Sequence, residues 1–365
     1  MKRIAIITLH AINNYGSVLQ TFATEQLFKE FGFTPITIDY IRDTAQMNTV
    51  WKILKAKNLG ITLKIKTLLV HLFSKNKKRA DSFNSFRNNY LHLTDKRYLS
   101  DKDLNEDFPE ADIYCTGSDQ TWNVEIQGCV PDGFFLNFVP DNKIRIAFSA
   151  SFGIDRLSDE YKEIVHDRLK KYKAISVREQ SGLSILQYIG IKGQLVLDPT
   201  LAIDQNVWEK LAAPKMFDED YLLAYQLNRN LKFTQYMKDF ARVHNLKIVQ
   251  VRARKDTSLE NGICLTDATP QEWLSLIKNA KYVLTDSFHC TAYCILFHRE
   301  FMCIYPPKFS TRLDSILSQT GLTERKITDF KNFSYCDKPI DFGPIDNWLM
   351  DEREKTLSFL KNALL

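Results

Sequence analysis

Tyr282-Val-Leu-Thr-Asp-Ser-Phe-His-Cys-Thr-Ala-Tyr-Cys-Ile-Leu-Phe297 is the stretch from which the fold can be read. Tyr282 to Leu284 reads as a short buried strand, Thr285-Asp286-Ser287 breaks it with a polar turn, and an apolar run of helical length follows. Strand, polar turn, helix is the unit from which α/β proteins build ligand sites. Crevices open beyond the carboxyl ends of parallel strands, and a helix N-terminus offers free N–H groups and a positive dipole end to an anion. Asp286 or Ser287 is placed to cap this helix through its side-chain oxygen. His289 then falls in the first turn, facing the position a phosphate or carboxylate would take.

The same alternation runs outward on both sides. Upstream, Lys2 to Leu9 reads as a strand, and Val18 to Phe31 as a helix with Leu19, Phe22, Ala23, Leu27 and Phe31 on one stripe. Thr34 to Asp39, Ala111 to Cys115, Arg145 to Phe152, Ala174 to Arg178 and Gly193 to Leu197 continue as strands. Ser158 to Lys171 and Glu179 to Tyr188 are helical between them. A polar, Pro-containing connector near 199–215 resets the pattern. It restarts with a strand at Tyr221 to Gln226, a helix at Leu231 to His244 and a strand at Lys247 to Val251. A helix at Thr269 to Asn279 follows, and beyond the opening stretch a strand at Arg299 to Tyr305. The pattern predicts an α/β protein of two domains, 1–200 and 201–345, facing a central cleft. The first carries a basic helical insert near 45–95, the second carries the His289 helix, and a helix over 346–365 packs back across the joint.

Totals narrow the function. At 365 residues the chain is long for one core. A formal charge of +5, without Lys/Arg clusters interleaved with aromatics, suits an anionic small substrate and not a nucleic acid. No G-x-G and no G-x-x-x-x-G-K-[ST] occurs, against a nicotinamide dehydrogenase or a P-loop NTPase, and no G-x-S-x-G supports a serine hydrolase. Seven Cys with no C-x-x-C pair, an N-terminal apolar run too short for a signal peptide, and no apolar run of membrane-spanning length point to the cytoplasm. Trp51 to Arg79 carries nine Lys/Arg and no Asp/Glu; it reads either as a helical pair with solvated lysines or as a basic amphipathic surface for an anionic membrane.

Five strand-end loops hold the candidate site residues: Asn13 to Gly16, Gly117 to Gln120, Arg178-Glu179, Asp286 to His289, and Lys308 to Arg312. His289 is the expected general acid/base, unless it only caps its own helix. Asp119 offers a second base or a hydroxyl-binding carboxylate, its plainer reading being a turn cap. Arg178 could bind a phosphate or carboxylate through its planar fork, or pair with a nearby acid. Lys308 and Arg312 read as a basic loop that could reach the same anion. Asn14 and Gly16 could let backbone approach a ligand. Cys290, Cys294 and His298 share a helical face, but buried thiols behave as small hydrophobes, and no metal is expected. Asp101-Lys-Asp103 matches the D-x-D of metal-dependent sugar transferases only as three residues in a charged loop.

Taken together, the motifs resemble the polysaccharide pyruvyl transferase family. The resemblance runs through Asn13-Asn-Tyr-Gly-Ser-Val-Leu-Gln20, Gly117-Ser-Asp-Gln-Thr-Trp-Asn123, Ala147 to Gly153, Ser176 to Glu179, Asp198-Pro-Thr200 and Thr285 to His289. It implies two Rossmann-like domains in a GT-B-like arrangement. It also implies phosphoenolpyruvate as donor, with no further cofactor, and a glycan or lipid-linked saccharide as acceptor. The enolpyruvyl group would become a cyclic ketal across two sugar hydroxyls in surface polysaccharide assembly, as in capsule or exopolysaccharide, at the inner face of the membrane. In the family the last motif often reads T-S-R-L-H, its Arg and His being implicated in donor binding and catalysis; here Ser287 stands at the Arg position and His289 at the His. The donor would then fall to Arg178, Ser287, Arg312, Lys308, Asn14 and Gly16, and the acceptor to Tyr15, Gln20, Ser118 and Trp122. Two other readings share the two-domain cleft: a glycosyltransferase using a nucleotide sugar, and a catalytically silent glycan-binding protein.

Overall fold

The computed structural model of the protein describes residues 1–41, 77–253, 262–306, 308 and 310–365. Most of the basic Trp51 to Arg79 segment lies outside the described residues. Seven strands form the first sheet: β1 (Arg3–Ile7), β2 (Thr34–Tyr40), β3 (Leu93–Tyr98), β4 (Ile113–Thr116), β5 (Ile144–Ala150), β6 (Ala174–Val177) and β7 (Gln194–Leu195). Their order is β3-β2-β1-β4-β5-β6-β7, all parallel. The second sheet holds β8 (Tyr221–Tyr225), β9 (Lys247–Val251), β10 (Gly262–Leu265), β11 (Tyr282–Thr285) and β12 (Glu300–Cys303) in the parallel order β10-β9-β8-β11-β12. Central strands such as β8, Tyr-Leu-Leu-Ala-Tyr, are buried throughout, as strands covered on both faces must be. Strand order reverses between β1 and β4 and between β8 and β11, and at such switch points a crevice opens beyond the strand ends.

Among the described residues, the chain after β1 forms α1 (Tyr15–Glu30), and α2 (Lys77–Tyr90) precedes β3. Then follow α3 (Asp101–Glu106), α4 (Val124–Gln127), α5 (Asp159–Leu169), α6 (Gln180–Tyr188), α7 (Pro199–Ala202) and α8 (Gln205–Leu211). The second domain adds α9 (Leu231–Val243), α10 (Pro270–Lys278), α11 (Phe288–Leu296) and α12 (Thr311–Gln319), and α13 (Gly343–Leu364) closes the chain. Three expectations change. The described end of the insert is part of the first sheet, because β3 pairs with β2 as its edge strand. The 199–215 connector contains α7 and α8, each opened by an aspartate cap, Asp198 and Asp204. Residues 311–319 are helical, so Arg312 sits in the first turn of α12 and not in a loop.

One apolar core runs through both domains. The α1 residue Tyr15 stacks on Trp273 of α10 with ring centroids 4.9 Å apart and planes 6° apart, and its hydroxyl donates to the Ala268 carbonyl at 2.8 Å. Trp208 and Trp273 both meet Tyr293 of α11 edge-on. Such aromatic pairs add about 0.5–1.5 kcal/mol each beyond their buried area. From α13, Arg353 donates to the Leu201 carbonyl, while Thr356 accepts from the Leu197 amide. The two switch points are thereby held facing each other across a packed joint. Among the described residues, no helix is long and apolar enough to cross a membrane.

Candidate functional site

A cavity of about 350 Å³ opens where the two switch points meet. The first domain supplies the loop after β1 and the start of α1 (Leu9, Ile12, Asn14, Ser17) and the loop after β4 (Asp119, Gln120). The second supplies Leu227 and Asn228 after β8, Asp286 to His289 after β11, and Lys308 and Arg312 beside α12.

The helix carrying His289 forms for plain reasons. Ser287 caps it, its hydroxyl oxygen accepting from the Cys290 amide, and every residue of α11 is buried, as expected of a helix that is apolar on all sides. Asp286 is drawn the other way: its carboxylate accepts from the Leu227 and Asn228 amides at 2.7 and 2.8 Å, tying the β8 loop to the β11 loop. Burial pushes this carboxyl above its ordinary range, although those donors oppose the shift.

His289 Nε2 lies 3.7 Å from Asp198 Oδ2 and 3.4 Å from Arg178 Nη1. Arg178 is the hub beneath the cavity. Its guanidinium, with no exposed surface, donates to Asp198 at 2.6 Å, to Ser118 Oγ at 3.0 Å and to Asp119 at 3.2 Å; Glu179 Oε2 lies 3.8 Å from its Nε. Asp198 also accepts from the Ser118 and Thr200 hydroxyls. Burial alone would raise the Asp198 and Asp119 carboxyls, but Arg178 and His289 together hold both below the carboxylate range. Asp119 accepts a hydrogen bond from Ser17 Oγ at 2.6 Å, and its backbone φ of +79° is a strained value for a residue with a side chain.

Arg312 differs from Arg178. It lines the cavity, its nearest carboxylate is Asp119 at 4.0 Å, and its buried Nε has no hydrogen-bond partner. Burial and the neighbouring Arg178 charge push its guanidinium down to about 10, so it is charged at neutral pH. Lys308 is exposed at the mouth of the same cavity.

The structure thus brings Asn14, Asp119, Ser287, His289, Lys308 and Arg312 to one cavity wall. Other candidates lie elsewhere. Arg178 and Ser118 are beneath the floor and engaged with carboxylates, Arg178 through both terminal nitrogens though its buried Nε makes no hydrogen bond, so the ion-pair reading of Arg178 describes its place. Gly16 faces not a ligand but the imidazole: a Cβ there would lie 2.0 Å from His289 Nδ1. Tyr15 belongs to the domain joint. Gln20 is wholly buried, its amide donating to Thr8 Oγ1 and the Ser17 carbonyl. Trp122 is also wholly buried, stacked on Phe135 with its indole N–H given to the Phe134 carbonyl. None of these three lines the cavity. The residues that sequence reasoning left without a role are Asp198, Ser17 and Asn228. Asp198 and Ser17 stood within the quoted Asp198-Pro-Thr200 and Asn13 to Gln20 motifs, whereas nothing local distinguishes Asn228. Asp101 and Asp103 serve the α3 capping box and a bond from Tyr40, outside the cavity. Among the described residues no group of three His, Cys, Asp or Glu is arranged to hold a metal.

The family model for polysaccharide pyruvyl transferase matches residues 14–307, from the cap of α1 through β12. The chain belongs to the polysaccharide pyruvyl transferase family. It is therefore a transferase of polysaccharide pyruvylation, and the match covers the cavity residues named above except Leu9, Ile12, Lys308 and Arg312. No curated protein matches it in sequence. Among solved structures it is similar to the S. aureus MnaA–UDP complex, with a TM-score of 0.52 at 11% identity over 98% of this chain and 90% of that one. A UDP-N-acetylglucosamine 2-epimerase described as putative, from Listeria monocytogenes, gives 0.50 at 9% identity over 97% and 90%. At these identities the likeness is one of fold: two Rossmann-like domains in the GT-B arrangement.

Proposed function

We propose that this pyruvyl transferase uses phosphoenolpyruvate as donor and forms a cyclic pyruvate ketal on two hydroxyls of a glycan sugar. The family match over residues 14–307 carries the reading. The cavity supports it, because its wall balances two cations, Lys308 and Arg312, against two carboxylates, Asp119 and Asp286. That suits an anionic donor and a polyhydroxylated acceptor held together.

In the proposed reaction Arg312, Lys308 and the N-terminus of α11 hold the donor's carboxylate and phosphate. With Ser287 at the family's arginine position, Arg312 is the guanidinium in the wall with hydrogen-bonding capacity unused. His289 gives a proton to the enol methylene, which becomes the methyl group, and C2 takes on oxocarbenium character. One acceptor hydroxyl adds to C2 and the second displaces inorganic phosphate. Of the two protons released, one replaces that given by His289 and the other leaves on phosphate. Asp119, held ionised, binds a hydroxyl, while Asp286, raised by burial, is the stronger base of the two. The nucleotide-sugar alternative rests on fold likeness at 11% identity and on a neighbour whose complex contains UDP.

The test is turnover with phosphoenolpyruvate and a panel of glycan acceptors, followed by phosphate release and by the ketal methyl signal of the product. His289→Ala is expected to lower turnover by a hundredfold or more. Unchanged turnover in that variant would remove His289 from the chemistry.

A further inference from the structure

We propose that a second cavity further along the same cleft, lined by residues with polar side chains, binds a neutral sugar residue of the acceptor, next to the one that reacts. The proposal rests on the pyruvyl transferase reading above. This cavity, about 440 Å³, lies within the roughly 300–1,000 Å³ of small-molecule sites. Its first-domain wall comes from Asp155 in the loop after β5 and Gln180 at the start of α6, which follows β6. These strands come next after β4 in the sheet order, so the cavity continues the cleft beyond the donor site. The partition between them is α12. Arg312 and Leu313 line the first cavity, and Thr311, Asp314 and Ser318 line the second. Across it the domains touch directly, the Gln180 amide donating to Ser315 Oγ at 3.3 Å.

Its chemistry selects the ligand class. Every lining side chain is a hydroxyl, a carboxamide or a carboxylate; no Lys, Arg, aromatic or aliphatic residue lines it. Asp155 and Asp314 disfavour a phosphate or an acidic sugar, and no aromatic or aliphatic side chain lines the cavity to hold a nucleobase or a lipid chain. Carboxylates accept from sugar hydroxyls, and carboxamides both donate and accept. Capacity is left over: the buried hydroxyls of Ser181 and Thr311 have no partner, and buried polar groups left so call for one. Asp314 is exposed, hydrogen-bonded to Tyr305 and 3.3 Å from Ser310 Oγ, with Lys326 Nζ at 3.9 Å. A glycan running from one cavity to the other would pass the first turn of α12, whose Thr311 and Arg312 line one cavity each.

The experiment measures binding by calorimetry on the full chain with phosphoenolpyruvate present. The probes are methyl glycosides and the matching neutral di- and trisaccharides of galactose, glucose, mannose and N-acetylglucosamine. Ser318→Arg fills the cavity with a cation from an exposed helical position, and Asp155→Ala removes one carboxylate. A longer saccharide is expected to bind about tenfold tighter than its methyl glycoside, the worth of two or three hydrogen bonds. That gain should vanish in Ser318→Arg and shrink in Asp155→Ala, with phosphoenolpyruvate affinity unchanged in both. No gain with length, or a gain that survives Ser318→Arg, overturns the subsite. Failure of wild type to bind phosphoenolpyruvate in the same samples rejects instead the reading on which it rests.

Discussion

Arg178→Met is expected to destabilise the protein by about 3–5 kcal/mol, the cost of stranding buried charge when one partner of an ion pair is removed. Methionine keeps much of the volume, so the loss reports charge and not a hole. The guanidinium it removes stands 2.6 Å from Asp198 and 3.2 Å from Asp119, with Glu179 at 3.8 Å. His289, at 3.7 Å from Asp198, and Arg312, at 4.0 Å from Asp119, are poorer replacements. The pH dependence separates this from an ordinary packing defect. In wild type both carboxyls are held below their unfolded values. Their contribution is therefore present above about pH 4 and is lost as pH falls through the folded values. In the variant, burial remains without its counter-charge, and the carboxyls rise instead. Their penalty is then absent at low pH and grows as pH rises through the raised values. Thermal midpoints should accordingly increase from pH 7.5 to 5 in Arg178→Met and stay level in wild type. Equal midpoints with equal slopes would mean that solvent screens the cluster.

Gly16→Val is expected to lower turnover at least as much as loss of the imidazole. Even the first carbon of any side chain at this position would lie 2.0 Å from His289 Nδ1, 2.3 Å from Cγ and 2.8 Å from Cβ. Because Cβ of the histidine is among the atoms met, turning the ring aside does not relieve the clash; α1 and α11 must separate. Overpacking of this kind costs about 1–3 kcal/mol, and a shift of about 1 Å in a catalytic group costs on the order of a hundredfold in rate. Stability by thermal melting and turnover by phosphate release should both fall, and the imidazole resonances should move. A variant with native turnover would show that the contact between the two helices does not set the position of His289.

The elements legible in the sequence were those whose burial imposes a pattern. Strand β8 is an uninterrupted apolar run, β1 and β11 are so but for Arg3 and Thr285 at their ends, and Ser287, Thr269 and Pro270 mark helix starts. Two of the four edge strands escaped notice: β3, Leu-Thr-Asp-Lys-Arg-Tyr, carries charge because one side of it is unpaired, and β10 is only partly buried along its length. The first turn of α12 was hidden because Ser310 makes no side-chain cap bond. For the site, strand-end position correctly singled out the loops but not the direction of each side chain. Arg178 and Arg312 look alike in sequence. One is buried against carboxylates from loops up to 59 residues away, and the other is turned to the cavity. Tyr15, Gln20 and Trp122 sit in motifs with functional neighbours, yet their bulk goes into the joint and the cores.

The most direct test is calorimetric titration of the wild-type protein and Arg312→Ala with phosphoenolpyruvate, with UDP as the competing donor chemistry. Phosphoenolpyruvate should bind wild type, and Arg312→Ala should weaken it at least tenfold, the loss of a charged hydrogen-bonding partner worth about 1.5–3 kcal/mol. UDP should give no heat in either. Saturable UDP binding without a phosphoenolpyruvate response, or phosphoenolpyruvate binding indifferent to Arg312, would contradict the proposed donor site.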